Sequence, residues 1–153
     1  TKLMEQVASR WYAHTAVRLA VAEVHDPRAW SGVEGDAPLR RLRLYERLGA
    51  RVLAVPFVQP ALSAEQARVP GFLLLAFHVD PSVELARDSR SAVRSGLVGR
   101  FVRRYFESVE GARAPYDPQL AQLLEQIEEH SSIRLLPIGE YDRVPPLARR
   151  EST

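Results

Sequence analysis

The chain of 153 residues contains no cysteine, one methionine and, apart from Lys2, no lysine. Without cysteine it has no disulfides, iron–sulfur clusters, zinc fingers or cysteine nucleophiles. Long hydrophobic runs are missing as well. The longest, residues 72–77, is far shorter than the roughly 20 residues that span a bilayer, so we predict no transmembrane helix and no membrane partner. These absences favour a reducing, cytoplasmic location.

The charges are nearly balanced, since the chain has 21 basic and 19 acidic residues and a net charge of +2. Almost every base is arginine, which stays charged to very high pH, and this explains a sequence pI near 9.3. The arginines are spread along the chain, whereas nucleic-acid binders cluster basic residues in a stripe. We therefore predict no nucleic-acid partner. The length and the 46% hydrophobic content are those of one globular domain.

Hydrophobic periodicity predicts an α/β fold. Apolar residues at three- and four-residue steps predict helices over residues 1–13, 37–48, 91–109 and 117–129, with Gly49 and Gly111 ending the second and third. Strands are predicted over residues 16–24, 51–58, 71–79 and 133–138. The strand at 71–79 is apolar on both faces, so we expect it at the centre of the sheet. Residues 28–35 and 59–70 are predicted as loops, and the tail 139–153 is predicted to fray.

The segment Leu44-Tyr45-Glu46-Arg47-Leu48-Gly49 resembles a signature of the GNAT N-acetyltransferase family, in which a helix ends and runs directly into a strand. The strand at 16–24 resembles the fifth strand of that fold, and the strands at 51–58 and 72–79 resemble its last two. Residues 1–4 resemble the start of the helix that follows the family's acetyl-CoA loop. The resemblance covers residues 1–79.

The fold that this resemblance implies is a GNAT-like mixed sheet with flanking helices, of which the N-terminal strands are missing. We therefore expect the N-terminal half of the domain to precede Thr1. Residues 1–79 would form the C-terminal half of the acetyltransferase domain, residues 80–138 a C-terminal helical extension, and residues 139–153 a tail.

The activity that the resemblance implies is transfer of an acetyl group from acetyl-CoA, the co-substrate, to the amine of a small molecule or a protein. Tyr45 would be the acid that protonates the departing thiolate. Thr1 and Lys2, at a helix N-terminus, would bind the cofactor phosphates. Arg41, one turn before Tyr45, would add a cofactor contact. Pro38 stands where the family often has an asparagine that bonds the cofactor.

Each candidate also has a plainer role. Tyr45 is equally suited to be a core aromatic with its hydroxyl at the surface, and a row of helix arginines is often a solvated face. His25 is a candidate base oriented by Asp26, but a loop or capping role is more common for such a pair. We interpret His78 as a hydrogen-bonded histidine at the end of a strand. The histidines show no metal-binding spacing, so we predict no metal.

A non-catalytic GNAT-like module for binding or assembly is the alternative function. The chain shows no recognisable general base, and the helices after residue 79 would then form an interface. Pro56 predicts an edge position or a bulge for its strand, and an edge strand would allow pairing across a homodimer.

Overall fold

The computed structural model describes residues 6, 10, 12, 13, 16–87, 90–111 and 117–147. The described positions up to residue 13 are helical, as predicted. Thr1, Lys2 and the other residues of that prediction lie outside the described residues. The strands are β1 Leu19–His25, β2 Arg51–Leu53, β3 Phe57–Gln59, β4 Val69–Val79, β5 Glu84–Arg87, β6 Arg90–Arg94 and β7 Ser132–Leu136. The helices are α1 Pro27–Glu34, α2 Ala37–Arg47, α3 Ser95–Glu110 and α4 Pro118–Glu128, followed by a 3₁₀ helix, Ile138–Arg143.

The strands form one open sheet in the order β1-β4-β2-β7-β6-β5, and β3 pairs with β4 beside β2. The α/β class is confirmed. The expectation of a mixed sheet is wrong for the described strands, because every pairing among them is antiparallel. The physical reason is the position of β4. Helices α1 and α2 bring β2 back parallel to β1, but β4 inserts between the two and runs antiparallel to both.

Strand β4 is central and covered on both faces, as its sequence predicted. Leu73 and Leu75 point into one hydrophobic cluster, and Leu74 and Ala76 point into another, each with 2% exposure or less. Successive side chains of a strand point to opposite faces, so an uninterrupted apolar run requires cover on both sides.

Helices cover the two faces of the sheet. On the first face, α3 and α4 bury Val98, Val102, Phe106, Leu120, Leu123 and Ile127 against the sheet. On the second face, α2 and the segment of the 3₁₀ helix bury Leu42, Ile138 and Val144. The apolar positions of α3 and α4 repeat at three- and four-residue steps, which sets one side of each helix toward the sheet. No helix in the described part of the chain has the length and hydrophobicity needed to cross a membrane.

Residues 28–34, predicted as part of a loop, instead form most of helix α1, and Gly35 follows its end. Asp26 caps it by accepting a hydrogen bond from the Arg28 N–H at 2.9 Å, and Pro27 occupies the first turn. Trp30 Nε1 donates to the Gly71 carbonyl at 2.8 Å, which anchors the helix to β4. The cap and this long-range bond outweigh the low helix propensity of Gly32.

Three further expectations are corrected by the structure. The strand at 51–58 is divided into β2 and β3, with Pro56 in the break. Residues 91–94 are not the start of α3 but belong to β6, where Val93 pairs with Ile133 and is fully buried. The β5–β6 hairpin was not predicted. The tail does not fray at residue 139: Arg28 Nη1 donates to the carbonyls of Asp142 and Val144, at 3.1 and 3.0 Å.

Candidate functional site

Helix α2 carries Tyr45 and Arg41, two of the predicted site residues, one turn apart. It has Pro38 in its first turn and buries Leu42 against the sheet. The chain turns directly into β2 at Gly49, whose φ of +80° lies in the left-handed region that glycine adopts without strain. The periodicity and this turn together place Tyr45 in the last turn of the helix.

The Tyr45 ring is half-buried and packs edge-on against Phe77 of β4, with ring centroids 5.3 Å apart and planes at 78°. Phe77 and Leu48 line a cavity of about 630 Å³. Tyr45 does not line this cavity itself but packs against one of its wall residues. Among the described residues its hydroxyl forms no hydrogen bond, so the phenol can donate one to a ligand.

The polar end of the cavity is built from the residues that precede β1 and from the end of β4. His78 Nε2 lies 3.0 Å from the Val17 carbonyl oxygen, and the His78 ring stacks on Tyr12 with centroids 4.5 Å apart. A carbonyl oxygen only accepts, so Nε2 carries a proton, and in the neutral ring Nδ1 is then the acceptor nitrogen. Arg18 and Asp80 complete this end. Apolar walls with a few converging polar groups are typical of small-molecule sites.

Arg41 lies in an ion cluster with Glu34, the last residue of α1, and His25, the last residue of β1. Arg41 Nη2 donates to Glu34 Oε2, and His25 Nδ1 lies 2.9 Å from Glu34 Oε1. Burial would raise the pKa of Glu34, but hydrogen bonds from His25 and Arg41 outweigh burial and lower it. The carboxylate is therefore ionised. His25 Nδ1 then donates to it and cannot also accept from Arg41 Nη1, 3.2 Å away.

Glu34, rather than Asp26, is the carboxylate partner of His25. Asp26 is buried, with 6% exposure, and its carboxylate pairs with the Arg28 guanidinium, so the capping role is confirmed for it. The His25–Glu34 pair also lies at the opposite end of β1 from the cavity. At about 3.3 Å per residue, it is roughly 20 Å along the strand from Arg18, too far to exchange a proton with a ligand in the cavity.

Glu23, in the middle of β1, is a half-buried acid that the sequence analysis did not single out. Gln59 Nε2 donates to its Oε1 at 2.6 Å, and its Oε2 is buried with no hydrogen-bond partner among the described residues. Burial, together with the Glu23 charge, raises the pKa of Tyr105 to about 12. The sequence feature that could have identified Glu23 is its position on the strand face that also carries Leu19 and Val21, which pack against the core.

The chain matches no protein-family model, no curated protein and no solved structure. Within the described residues, no group of three or more acidic or histidine side chains is arranged to hold a metal ion.

Proposed function

We propose that the chain is part of an acyl-CoA-dependent N-acyltransferase that moves an acetyl group from acetyl-CoA to the amine of a small molecule or a protein in the cytoplasm. The observation that carries the proposal is the position of Tyr45. It lies in the Tyr-Glu-Arg-Leu-Gly segment at the end of α2, and its ring packs against Phe77, a wall residue of the 630 Å³ cavity. The resemblance to GNAT enzymes supplies the reaction class.

Acetyl transfer by direct attack requires positioning and two proton movements. The amine nitrogen attacks the thioester carbon, a C–N bond forms, and the C–S bond breaks. The amine loses a proton, and the departing thiolate gains one. Tyr45 is the proposed acid for the thiolate, because a phenol is a hydrogen-bond donor and this one is not engaged by the described residues.

His78 is the described side chain best placed to take the proton from the amine. Its ring lines the cavity, and its Nε2–H is held by the Val17 carbonyl, which leaves the Nδ1 lone pair as the acceptor. Histidine commonly acts as a general base near neutral pH. His25 is excluded from this role in the cavity by its distance along β1.

The test is thioester cleavage by the full-length protein, measured as thiol release from acetyl-CoA with a panel of amines. We expect Tyr45→Phe to lower turnover by about 10-fold or more with little change in the KM for acetyl-CoA. Tyr141→Phe is the matched control, because Tyr141 packs partly buried against the same cluster but on the 3₁₀ helix. Unchanged turnover in Tyr45→Phe would remove Tyr45 from the mechanism.

The proposed role of His78 is tested by the pH profile of the same reaction. We expect His78→Gln to lower turnover and to flatten its dependence on pH near neutrality, since glutamine keeps a hydrogen bond to Val17 but does not titrate. A lower turnover with an unchanged profile would show a structural role only.

A non-catalytic binding module is the second candidate, and the state of Arg41 favours it. The Arg41 guanidinium is already paired with Glu34, so a cofactor phosphate would have to compete with that carboxylate. The two candidates differ in a calorimetric titration of the full-length protein with acetyl-CoA. Binding together with thiol release supports the enzyme, whereas binding without release from any amine supports the module.

A further inference from the structure

Two further cavities lie along α3, and Tyr45 lines neither of them. The larger, about 610 Å³, is lined by Arg18, Arg100 and Arg104. The smaller, about 390 Å³, is lined by Arg18, Arg94 and Arg100. Arg18 and Arg100 line both cavities, and we call the two cavities together the arginine basin.

The basin concentrates positive charge. None of its four arginines forms an ion pair with an acidic residue in the described part of the chain, and no aspartate or glutamate lines either cavity. The acid whose charge couples to Arg18 is Asp80, which lines the 630 Å³ cavity and not the basin. By contrast, Arg51 and Arg68 each bond a carboxylate directly.

This arrangement has an energetic cost in the absence of a ligand. Arg100 and Arg104 lie one turn apart on α3, and like charges at that spacing destabilise a helix by a few tenths of a kcal/mol. Arg18 adds a third positive charge to the same cavity from outside the helix. An anion would relieve this repulsion, and the planar guanidinium forms paired hydrogen bonds with phosphate oxygens.

The walls of the basin indicate what the anion is attached to. Phe101 and Tyr105 line the larger cavity, with ring centroids 5.9 Å apart and planes at 20°, and Leu97 lines both cavities. Aromatic and aliphatic walls favour a ligand with an apolar or aromatic portion next to its charged group.

We propose that the arginine basin binds a small molecule in which a phosphate group is joined to an aromatic or apolar portion. The phosphate contacts Arg18, Arg100 and Arg104, and the apolar portion packs against Phe101 and Tyr105. The basin adjoins the 630 Å³ cavity, since Arg18 lines both, but its aromatic wall lies on α3, whereas Tyr45 lies on α2.

The experiment is a calorimetric titration of the full-length protein with phenyl phosphate as the probe. We expect saturable binding that weakens by about 10-fold or more in the double variant Arg100→Gln/Arg104→Gln and weakens with added salt. Arg103→Gln is the matched control, because Arg103 is exposed on the same helix but does not line the basin, and it should leave binding unchanged. Inorganic phosphate, which lacks the ring, should bind more weakly.

Three outcomes would overturn the proposal. One is the absence of saturable binding at concentrations up to about 5 mM. The second is an equal loss of affinity in Arg103→Gln, which would indicate a general effect of helix charge. The third is equal affinity for benzoate, which would remove phosphate as the recognised group. Because Tyr45→Phe should not change phenyl phosphate binding, failure of the acetyl-transfer proposal is distinguishable from failure of this one.

Discussion

Arg68 joins three segments that are distant in sequence, and its replacement is the sharpest test of the packing between them. It immediately precedes β4. Its Nε donates to Glu110 Oε1 at 2.8 Å at the end of α3, and its Nη1 donates to Asp117, the N-cap of α4. Its guanidinium carbon also lies 4.9 Å from the centre of the Phe106 ring. Arg68→Met keeps the apolar stem and removes the charge.

The expected loss of stability follows from the burial of this cluster. Removing one partner of a fully buried ion pair costs about 3–5 kcal/mol, because the other charge is left without compensation. The side chains of Arg68, Glu110 and Asp117 keep 12%, 10% and 33% exposure, so water can partly solvate the two carboxylates. We therefore expect Arg68→Met to lower the free energy of unfolding by about 2–4 kcal/mol.

The pH dependence adds a second readout. The hydrogen bonds from Arg68 lower the pKa of Glu110 below its usual 4.5. Burial would raise the pKa of Asp117, but bonds from the Leu120 N–H and Arg68 outweigh burial and lower it below 3.8. A lowered folded-state pKa stabilises the protein above the unfolded pKa, and this contribution is lost as pH falls through the folded pKa. The difference between wild type and Arg68→Met should therefore shrink below about pH 4.5.

Urea unfolding followed by circular dichroism at neutral pH and near pH 3 measures both effects. Arg143→Met is the control, because Arg143 pairs with Glu140 at 3.3 Å with 61% and 35% exposure, and such pairs contribute about 1 kcal/mol or less. If Arg68→Met loses no more stability than the control at neutral pH, or if the difference persists unchanged in acid, the reasoning is refuted.

Five substitutions test the sheet, its turns and the helices beside it by the same unfolding assay. Leu74→Asp should abolish folding, because Leu74 is 1% exposed in the central strand. Leu44→Asp, at a position that is 40% exposed, should fold. A cooperative unfolding transition in both variants would contradict the central position of β4. Gly71→Ala should lower the free energy of unfolding by about 2–4 kcal/mol, because the φ of Gly71 is +85° and an added Cβ would lie 2.6 Å from Ala29 Cβ. Gly49 has a φ of +80° with open space around an added Cβ, so Gly49→Ala should lower the free energy of unfolding by about 1–2 kcal/mol. Equal losses would show that the contact with Ala29 relaxes. Gly32→Ala, in α1 with no atom near the added Cβ, should stabilise the protein by about 0.5–1 kcal/mol, and a loss of stability would argue against the helix.

The sequence by itself determined the elements whose signals are local. Helices α2, α3 and α4 and strand β4 overlap the residues over which they were predicted, although α3 begins at Ser95 and not at residue 91. An apolar stripe at helical spacing buries one face of a helix, and a short apolar run between turn residues is typical of a buried strand. Their ends follow from cap chemistry. Gly49 and Gly111 end helices with positive φ, and the Asp117 side chain accepts from the Leu120 N–H at 2.9 Å.

Only the tertiary structure decided the features that depend on a distant partner. Helix α1 is held by a bond from Trp30 to Gly71, β6 by pairing with β7, and the segment after residue 138 by bonds from Arg28. The same holds for function. The local signature around Tyr45 can be recognised in the sequence. The sequence does not show that Tyr45 packs against Phe77, that His25 pairs with Glu34, or that Arg18 lies near the arginines of α3. Such contacts join residues far apart in sequence, and a one-dimensional pattern carries no information about which distant side chains the folded sheet brings together.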